Sequence, residues 1–373
     1  MKTVMFVANR GYAIISSRKE ILQKFIEMKW KVIIVTSDDE YSQKMVELGV
    51  ILESISFKRR QGSNIFDIST LLKLSQIIRK YKPDLVHNFH AKPIIYCSIV
   101  SRLLLGKSTH IVNTVTGLGR SIPNSKYAKF FSIYAYRIAC GCSDKVIFQN
   151  SDDRMLFIDN KICLESKSEL IISAGVDVDK FPYNQRRIMF DSKPVVVMVG
   201  RLLESKGVYH FIDIAEHTSK FWPNITFYWA GEEDLDHPEG VDLSTISENN
   251  HVKFLGKVDD IYSLLIKADI MIFPSYYKEG VPRAILEGAS SGLPVIAYNV
   301  PGVREAVVDK CTGIVVPVVS SKLMSKALVA LLHDHQKRQE MGKEAQKMII
   351  SRFKIQTVHQ KYFDVYRDVG VLN

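Results

Sequence analysis

Short apolar, β-rich runs alternate with segments of helical period along the chain, and this alternation restricts the possible folds most strongly. Seven runs lie in the first half, at 4–8, 32–36, 52–57, 85–89, 110–115, 146–149 and 170–173, and six in the second, at 195–200, 226–230, 252–255, 270–274, 295–298 and 314–316. Continuous Val- and Ile-rich runs between helices are typical of parallel strands that are buried on both faces. The pattern predicts an α/β protein with two doubly wound sheets of the Rossmann type.

The two sets of strands predict two domains, 1–185 and 186–373, because 373 residues are too many for one ordinary domain. The join is expected near 181–193, where a proline and a polar run at 184–187 interrupt the pattern. Ligands of such sheets bind beyond the carboxyl ends of the strands, so we expect two facing domains with a cleft between them. An amphipathic last helix near 355–368 is compatible with packing back on the N-terminal domain.

The positive charge is concentrated in the first half of the chain. Residues 1–185 carry 27 Lys and Arg against 17 Asp and Glu, whereas residues 186–373 carry 23 of each. An excess of this kind indicates either an anionic partner or a solvated basic face. Nucleic acid is disfavoured as the partner because the sequence contains no known nucleic-acid-binding motif.

Other whole-chain features favour a cytoplasmic protein. The first eight residues have the pattern of a strand rather than of a signal peptide, and no apolar run is long enough to cross a bilayer. The five cysteines show no paired metal-ligand spacing, which favours free thiols in a reducing compartment.

The first motif that carries chemistry lies at the end of the strand at 195–200. Gly200 allows a ligand to approach the backbone, and Arg201 and Lys206 flank the turn that follows. Two cations beside a strand end suit a diphosphate, and in a transferase they would stabilise charge on the leaving phosphate. The alternative is an ordinary solvated loop.

A second motif, 279–287, follows the strand at 270–274. Pro282 is suited to the first position of a helix, whose N-terminus would bind an anion, with Gly280 and Val281 placing backbone beside it. Glu279 precedes this helix and Glu287 lies on it, where carboxylates could accept hydrogen bonds from sugar and ribose hydroxyls. Taken singly, each acid could equally be an exposed surface charge.

Together these motifs resemble the family 4 retaining glycosyltransferases of GT-B fold. The resemblance rests on Gly200-Arg201 with Lys206-Gly207, on Glu279-Gly280-x-Pro282 with Glu287, and on weaker matches that extend it over nearly the whole chain. It implies that Arg201 and Lys206 bind the donor diphosphate, that Glu279 contacts the transferred sugar and that Glu287 holds the ribose. Gly200, Gly280, Val281 and, in the first half, Gly11 would line the donor site.

The N-terminal half would bind the acceptor by the same resemblance. Arg18 lies early in the first helix and is expected to face the cleft. Thr116 and Gly117 follow a strand end, and Arg120 could contact phosphate there; a tight turn explains the same glycines equally well. His87 and His90 end the fourth strand, and one of them is expected to line the active site, with a slight preference for His90. A structural histidine is the alternative for each.

Metal ions are not expected in the reaction. Two Asp-x-Asp triplets occur, at 177–179 and 234–236, but turn and loop roles suit both better, and the resembling family needs no divalent metal. No cofactor is expected. The donor substrate is expected to be a UDP-sugar, with a GDP-sugar as the second choice.

The resemblance extends to bacterial enzymes that add a hexose or N-acetylhexosamine to undecaprenyl-diphosphate-linked glycans of surface polysaccharides. It implies that acceptor, and with it peripheral association with the anionic inner face of the cell membrane. Basic residues at 58–60 and the mixed aromatic and basic stretch at 126–137 favour such a surface, although a helix buried against the first sheet explains the aromatic residues too. A sugar-nucleotide epimerase of GT-B fold and a non-catalytic sugar-nucleotide-binding subunit are the alternative functions.

Overall fold

The computed structural model describes residues 1–57, 68–119, 122, 125–183, 193–246 and 250–372. It divides into two compact units, 1–174 with 356–373 and 175–355. The predicted domain boundary at 185/186 falls outside the described residues and stays a prediction.

The N-terminal unit contains a seven-stranded sheet in the described part of the chain, with order β3-β2-β1-β4-β5-β6-β7. Its strands are β1 (Thr3–Val7), β2 (Lys31–Thr36), β3 (Ile51–Ser54), β4 (Leu85–Phe89), β5 (His110–Val115), β6 (Lys145–Phe148) and β7 (Ser168–Leu170). All neighbouring strands pair in parallel. The strand order reverses between β1 and β4, so the crevice for a ligand is expected at the carboxyl ends of these two strands.

Helices cover both faces of this sheet. They are α1 (Tyr12–Glu27), α2 (Ser42–Val46), α3 (Ile68–Tyr81), α4 (Ala91–Leu105), α5 (Lys126–Cys142), α6 (Ser151–Asp159) and α13 (Ile355–Asp368). Met5 and Val7 of β1 pack in a core with side chains of α3, α4 and α5, whereas Val4 and Phe6 pack in a second core with side chains of α1 and α13. Successive side chains of a strand point to opposite faces, so the uninterrupted apolar runs supply both cores at once.

The C-terminal unit contains a six-stranded parallel sheet among its described residues, with order β10-β9-β8-β11-β12-β13. Its strands are β8 (Val195–Val199), β9 (Thr226–Ala230), β10 (Val252–Phe254), β11 (Ile270–Phe273), β12 (Val295–Tyr298) and β13 (Gly313–Val316). Its helices are α7 (Val208–Ser219), α8 (Ile261–Leu265), α9 (Arg283–Ser290), α10 (Val303–Ala306), α11 (Ser321–His333) and α12 (His335–Arg352). Here the strand order reverses between β8 and β11.

The two predicted doubly wound sheets are confirmed, and the differences concern strand ends. The run predicted at 52–57 forms a strand only to Ser54, although the Ile55 amide still donates to the Thr36 carbonyl of β2, and Ile55 and Phe57 are buried in the core. The strand predicted at 170–173 instead spans Ser168–Leu170 at the edge of the sheet. Ser168 and Glu169 are polar, so no apolar run marked the start of this strand. Among the described residues, no helix is long and apolar enough to cross a membrane.

Candidate functional site

The loop after β8 places two cations at the switch point of the C-terminal sheet. Gly200 continues β8, where its carbonyl accepts a hydrogen bond from Trp229 Nε1 at 2.7 Å. A short 3-10 turn, Glu204–Lys206, then leads to Gly207, which has a left-handed φ of +82° and a Cα that approaches the Pro274 carbonyl too closely for a side chain. The turn thereby fixes Lys206 beside the end of β11.

Lys206 forms an ion pair with Glu279, which follows β11. The ammonium group lies 5.6 Å and 5.8 Å from the ring centroids of Phe273 and Tyr277, and Ser275 Oγ donates to Glu279 Oε1 at 3.3 Å. Both charged side chains are largely buried, with 11% and 21% exposure, so the pair lies in a partly desolvated site where charges act strongly. Two residues 73 positions apart in sequence are thus brought together at one sheet edge.

Arg201, the second cation of this loop, is more exposed and forms an ion pair with Asp234. Asp234 is the first residue of one of the two Asp-x-Asp triplets. Asp177 of the other triplet accepts hydrogen bonds from the amides of Asp179 and Lys180 and stabilises a turn. Among the described residues, no group of three or more His, Cys, Asp or Glu side chains could hold a metal ion.

Helix α9 begins at Arg283, one residue later than predicted, with Pro282 at the preceding position. Gly280 and Val281 are buried just before it, and its first amides have no partner within the helix. Glu287 is buried on α9 and accepts a hydrogen bond from Arg283 Nη2 at 2.9 Å. Burial raises the pKa of the Glu287 carboxyl, and the nearby Arg283 guanidinium opposes that rise.

A close backbone contact fixes the Glu279–Gly280 loop. Gly302, with φ +81°, lies against this loop, so that a Cβ built on it would stand 1.6 Å from the Gly280 carbonyl oxygen and 3.0 Å from that of Glu279. Only glycine fits this position, and the contact ties the loop to the start of α10.

His90 occupies the corresponding edge of the N-terminal sheet, at the carboxyl end of β4. Its φ of 70° and ψ of 163° are rarely adopted by residues other than glycine, and such strain clusters at functional sites. Its Nδ1 accepts a hydrogen bond from the Asn9 amide at 3.4 Å, which joins the ends of β1 and β4. Burial, with a smaller effect of the Arg18 charge, lowers the pKa of His90 to about 4.

His87 lies inside the sheet rather than at its edge. It is fully buried, and its ring nitrogens lie 2.7 Å from the Tyr366 hydroxyl and 2.7 Å from Thr114 Oγ1. Burial, followed by the Arg18 charge, lowers the pKa of His87 well below its ordinary value. This environment is that of a neutral, hydrogen-bonded histidine of the core.

Arg18 is buried against α13 and is only 2% exposed. Its guanidinium stacks between Phe89 and Tyr362, at 5.1 Å and 4.9 Å from their ring centroids, and donates to the Tyr362 hydroxyl at 3.1 Å. The side chain, expected at a cleft surface, therefore lies under the C-terminal helix. Its predicted contact with the acceptor stays a prediction.

The remaining predicted residues of this unit lie in two loops. Gly11 precedes α1, and its amide donates to Asp39 Oδ2 at 2.7 Å. Thr116 and Gly117 follow β5 and are half-buried, with Gly117 at φ +107°. Arg120 lies outside the described residues.

Sequence reasoning missed the partners of these groups. The sequence marks Asp234 only as a possible metal ligand. Phe273 at the end of β11, and Ser275 and Tyr277 after it, carry no signal that they surround Lys206. The tyrosines of α13 that contact Arg18 and His87 could have been found from the amphipathic pattern of 355–368, which contains both.

Two doubly wound sheets in one chain, with a cationic loop at the switch point of the second, define the GT-B class of glycosyltransferases. Residues 181–348 match the family model described as glycosyl transferases group 1, and residues 3–150 match the model described as glycosyl transferase 4-like. The chain therefore carries a glycosyl transferase 4-like domain and a glycosyl transferases group 1 domain, and group 1 is a class of retaining hexosyltransferases.

Named relatives extend over most of the chain. N,N'-diacetylbacillosaminyl-diphospho-undecaprenol α-1,3-N-acetylgalactosaminyltransferase of Campylobacter jejuni is 24% identical over 97% of both chains. UDP-Gal:α-D-GlcNAc-diphosphoundecaprenol α-1,3-galactosyltransferase of Escherichia coli is 27% identical over 84% of this chain and 82% of its own. Anabaena HepE, solved in complex with UDP and glucose, shares the fold with a TM-score of 0.78, at 19% identity over 98% of this chain and 100% of HepE. These comparisons lend no support to an epimerase or a non-catalytic subunit.

Proposed function

We propose that this protein transfers a hexose or N-acetylhexosamine from a UDP-sugar to an undecaprenyl-diphosphate-linked saccharide during synthesis of a bacterial surface glycan, with retention of the anomeric configuration. The observation that carries the proposal is the meeting of Lys206 and Glu279 at the switch point of the C-terminal sheet, with Arg201 on the same loop. The acceptor class is supported by the names of the Campylobacter and Escherichia relatives, and the UDP donor by the Escherichia relative and by HepE.

The C-terminal unit supplies the donor groups in this proposal. Arg201 and Lys206 bind the diphosphate, and the amides at the start of α9 with Gly200, Gly280 and Val281 line it. Glu279 accepts hydrogen bonds from hydroxyls of the transferred sugar, and Glu287 accepts them from the ribose. Binding of the diphosphate gives Lys206 an anionic partner other than Glu279, which leaves that carboxylate available to the sugar.

The reaction then breaks the bond between the anomeric carbon and the diphosphate oxygen and forms a bond from that carbon to the acceptor hydroxyl on the same face. The acceptor proton passes to the leaving phosphate oxygen, so no protein base is required. Arg201 and Lys206 stabilise the charge that develops on the diphosphate, and the protein otherwise acts by positioning.

The N-terminal unit supplies the acceptor groups. Of the two histidines, His90 is the one we assign to the active site, because it lies at the strand end in a strained conformation while His87 is enclosed in the core. Thr116 and Gly117 lie on the loop that follows β5 and, with Arg120, the third residue after Gly117 in sequence, are our candidates for the acceptor diphosphate. Arg18 is the weaker candidate, because Tyr362 already contacts it. Gly11 stays our prediction for the donor site, although its amide already donates to Asp39. Use of a lipid-linked acceptor also implies peripheral association with an anionic membrane surface.

A donor panel tests this function. Purified protein is mixed with UDP- and GDP-sugars and a short-chain undecaprenyl-diphosphate-sugar analogue in the presence of EDTA, and products are analysed for anomeric configuration. Glu279→Gln is the test variant, and Glu344→Gln, an exposed acid on α12, is its matched control. We expect transfer from one UDP-sugar with retention, lost in Glu279→Gln and kept in Glu344→Gln.

Three other results would argue against the proposal. Conversion of the donor sugar without acceptor would favour the epimerase, nucleotide binding without transfer would favour the non-catalytic subunit, and transfer from GDP-sugars alone would exclude the UDP donor.

A further inference from the structure

Helix α5 has two apolar faces, and only one of them packs in the core formed by the described residues. Ala135, Tyr136, Ala139 and Cys140 are buried in the core between α5 and the sheet. On the other side, Tyr127, Phe130, Phe131 and Tyr134 are between 54% and 82% exposed, and Ile138 is 40% exposed. The sequence leaves open whether the aromatic residues of 126–137 are buried or exposed, and in the structure only Tyr136 among them is buried.

The exposed residues form a continuous stripe, which we call the α5 aromatic stripe (Tyr127, Phe130, Phe131, Tyr134 and Ile138). Their spacing of three, four, seven and eleven positions from Tyr127 is that of a helix face that packs on an apolar phase. The ring of Phe130 stacks on Tyr134 at 6.4 Å and meets Phe131 edge-on at 6.0 Å. Single exposed apolar residues are ordinary, but a stripe with helical period marks an interaction surface.

The charges around the stripe indicate the chemistry of its partner. Residues 85–143 contain seven Lys and Arg and no Asp or Glu. On α5 itself, Lys126, Lys129 and Arg137 are exposed, and at about 100° per residue Lys126 and Arg137 border the stripe on the side of Phe130. Tyr and Phe beside cations, without any carboxylate, are the composition of helices that lie in the interface of an anionic bilayer.

The position of α5 in the chain agrees with this partner. The helix begins seven residues after Gly119, in the connection that follows β5. That loop carries the residues proposed for the acceptor diphosphate. A lipid-linked diphosphate lies at the membrane surface, so a helix that starts beside its binding loop is suitably placed to contact the same lipid leaflet.

We infer that the α5 aromatic stripe is the surface by which this protein docks on an anionic lipid bilayer. The aromatic side chains enter the headgroup and upper acyl region, and Lys126 and Arg137, which border the stripe, contact lipid phosphates. The inference rests on the proposed function, since it places the acceptor-binding unit where a lipid-linked acceptor resides.

Vesicle flotation tests the stripe directly. The full chain is mixed with vesicles of phosphatidylethanolamine and phosphatidylglycerol, or of phosphatidylcholine alone, and the bound fraction is measured. Phe130→Ser with Phe131→Ser is expected to lower affinity for the anionic vesicles at least about a hundredfold, because burial of each Phe is worth more than roughly a factor of ten. Phe221→Ser with Leu235→Ser, two similarly exposed apolar residues of the C-terminal unit, is the matched control and is expected to change affinity less than about twofold.

A charge variant tests the second half of the inference. Lys126→Ala is expected to lower affinity for anionic vesicles severalfold and to leave the weaker binding to phosphatidylcholine unchanged. The same salt concentration must be used throughout, because the electrostatic part is screened by salt.

Three results would overturn the inference. The first is unchanged vesicle affinity in the Phe130 and Phe131 variant, and the second is an equal loss in the Phe221 and Leu235 control. The third is that the wild type forms a dimer, and that the Phe130 and Phe131 substitutions abolish the dimer without changing vesicle affinity. This result would assign the stripe to a second copy of the chain.

Transfer to the short-chain acceptor in bulk solution separates this inference from the proposed function. We expect the stripe variant to retain this transfer, which also shows that it is folded, and to lose transfer to acceptor embedded in vesicles. If the wild type transfers sugar to no lipid-linked acceptor but the stripe variant still loses vesicle binding, the proposed function fails and the docking surface stands.

Discussion

Replacing Gly302 by alanine tests whether the Glu279–Gly280 loop needs its observed position. The new methyl group would stand 1.6 Å from the Gly280 carbonyl oxygen, and real Cβ atoms keep at least 3.0 Å from such an atom. Because the atoms it would meet belong to the backbone, no side chain can turn aside, and the loop and the start of α10 must separate by at least about 1.4 Å, the difference between these two distances.

The size of this displacement sets the expected loss of activity. A shift of about 1 Å in a substrate-positioning group is worth about a hundredfold in rate, so we expect kcat/KM for the donor to fall by roughly a hundredfold or more. Part of the effect of any such substitution is the cost of a left-handed backbone at a residue with a Cβ, about 1–2 kcal/mol. This part must be measured separately.

Gly49→Ala provides that measurement, because Gly49 has a similar φ of +85° but no atom of the described, non-adjacent residues within 4 Å of the position that its methyl group would take. Both variants are assayed for donor turnover at saturating acceptor and for thermal unfolding. Gly49→Ala is expected to lose some stability and to keep kcat/KM within about threefold. The reasoning is refuted if folded Gly302→Ala also keeps kcat/KM within about threefold of the wild type.

Three further predictions concern single side chains. Arg201→Ala and Lys206→Ala should each lower kcat by roughly two to three orders of magnitude if both cations stabilise the leaving diphosphate, with exposed Lys347→Ala as the matched control, and losses below about fivefold in both would contradict the assignment. Glu287→Gln should raise KM for the UDP-sugar about tenfold with little change in kcat, since a ribose contact acts on ground and transition states alike; an unchanged KM would remove that role. The pKa of His90, about 4 in the folded chain against 6.5 ordinarily, means that the unfolded state binds more protons between these values, so stability present above pH 6.5 is lost as pH falls towards 4. Urea unfolding at about pH 7 and about pH 4.5 should therefore show a smaller loss in His90→Gln than in the wild type, and equal losses would mean that folding does not lower the pKa of His90.

The sequence predicts the framework well because each strand is marked by its own residues. Runs such as 195–200 are apolar throughout. A short run of this kind is typical of a strand that is buried on both faces, because both sets of alternating side chains then need to be apolar. The motif residues follow from the same logic, since Arg201 lies two residues after β8 and Glu279 lies in the loop that follows β11, which places both at the carboxyl edge of the sheet.

The neighbours of these residues depend on contacts between distant segments and are not marked locally. Nothing near Arg18 in sequence indicates that Tyr362 will cover it, and nothing near Lys206 indicates the rings of Phe273 and Tyr277. His87 and His90 look equivalent in sequence, yet His87 lies within the paired part of β4 and His90 directly after its last residue, which separates a core position from an edge position.

The return of α13 to the N-terminal unit has a consequence for biosynthesis. Tyr362 and Tyr366, which contact Arg18 and His87, are translated after the whole of the 175–355 unit, so the first sheet is made long before its second core can close. The chain ends lie near each other, since Lys2 Nζ donates to the Val371 carbonyl at 2.9 Å. A circular permutant opened at 355/356, with a short linker from the old C-terminus to Met1, would present each unit as one continuous segment and let the first fold before the second is translated.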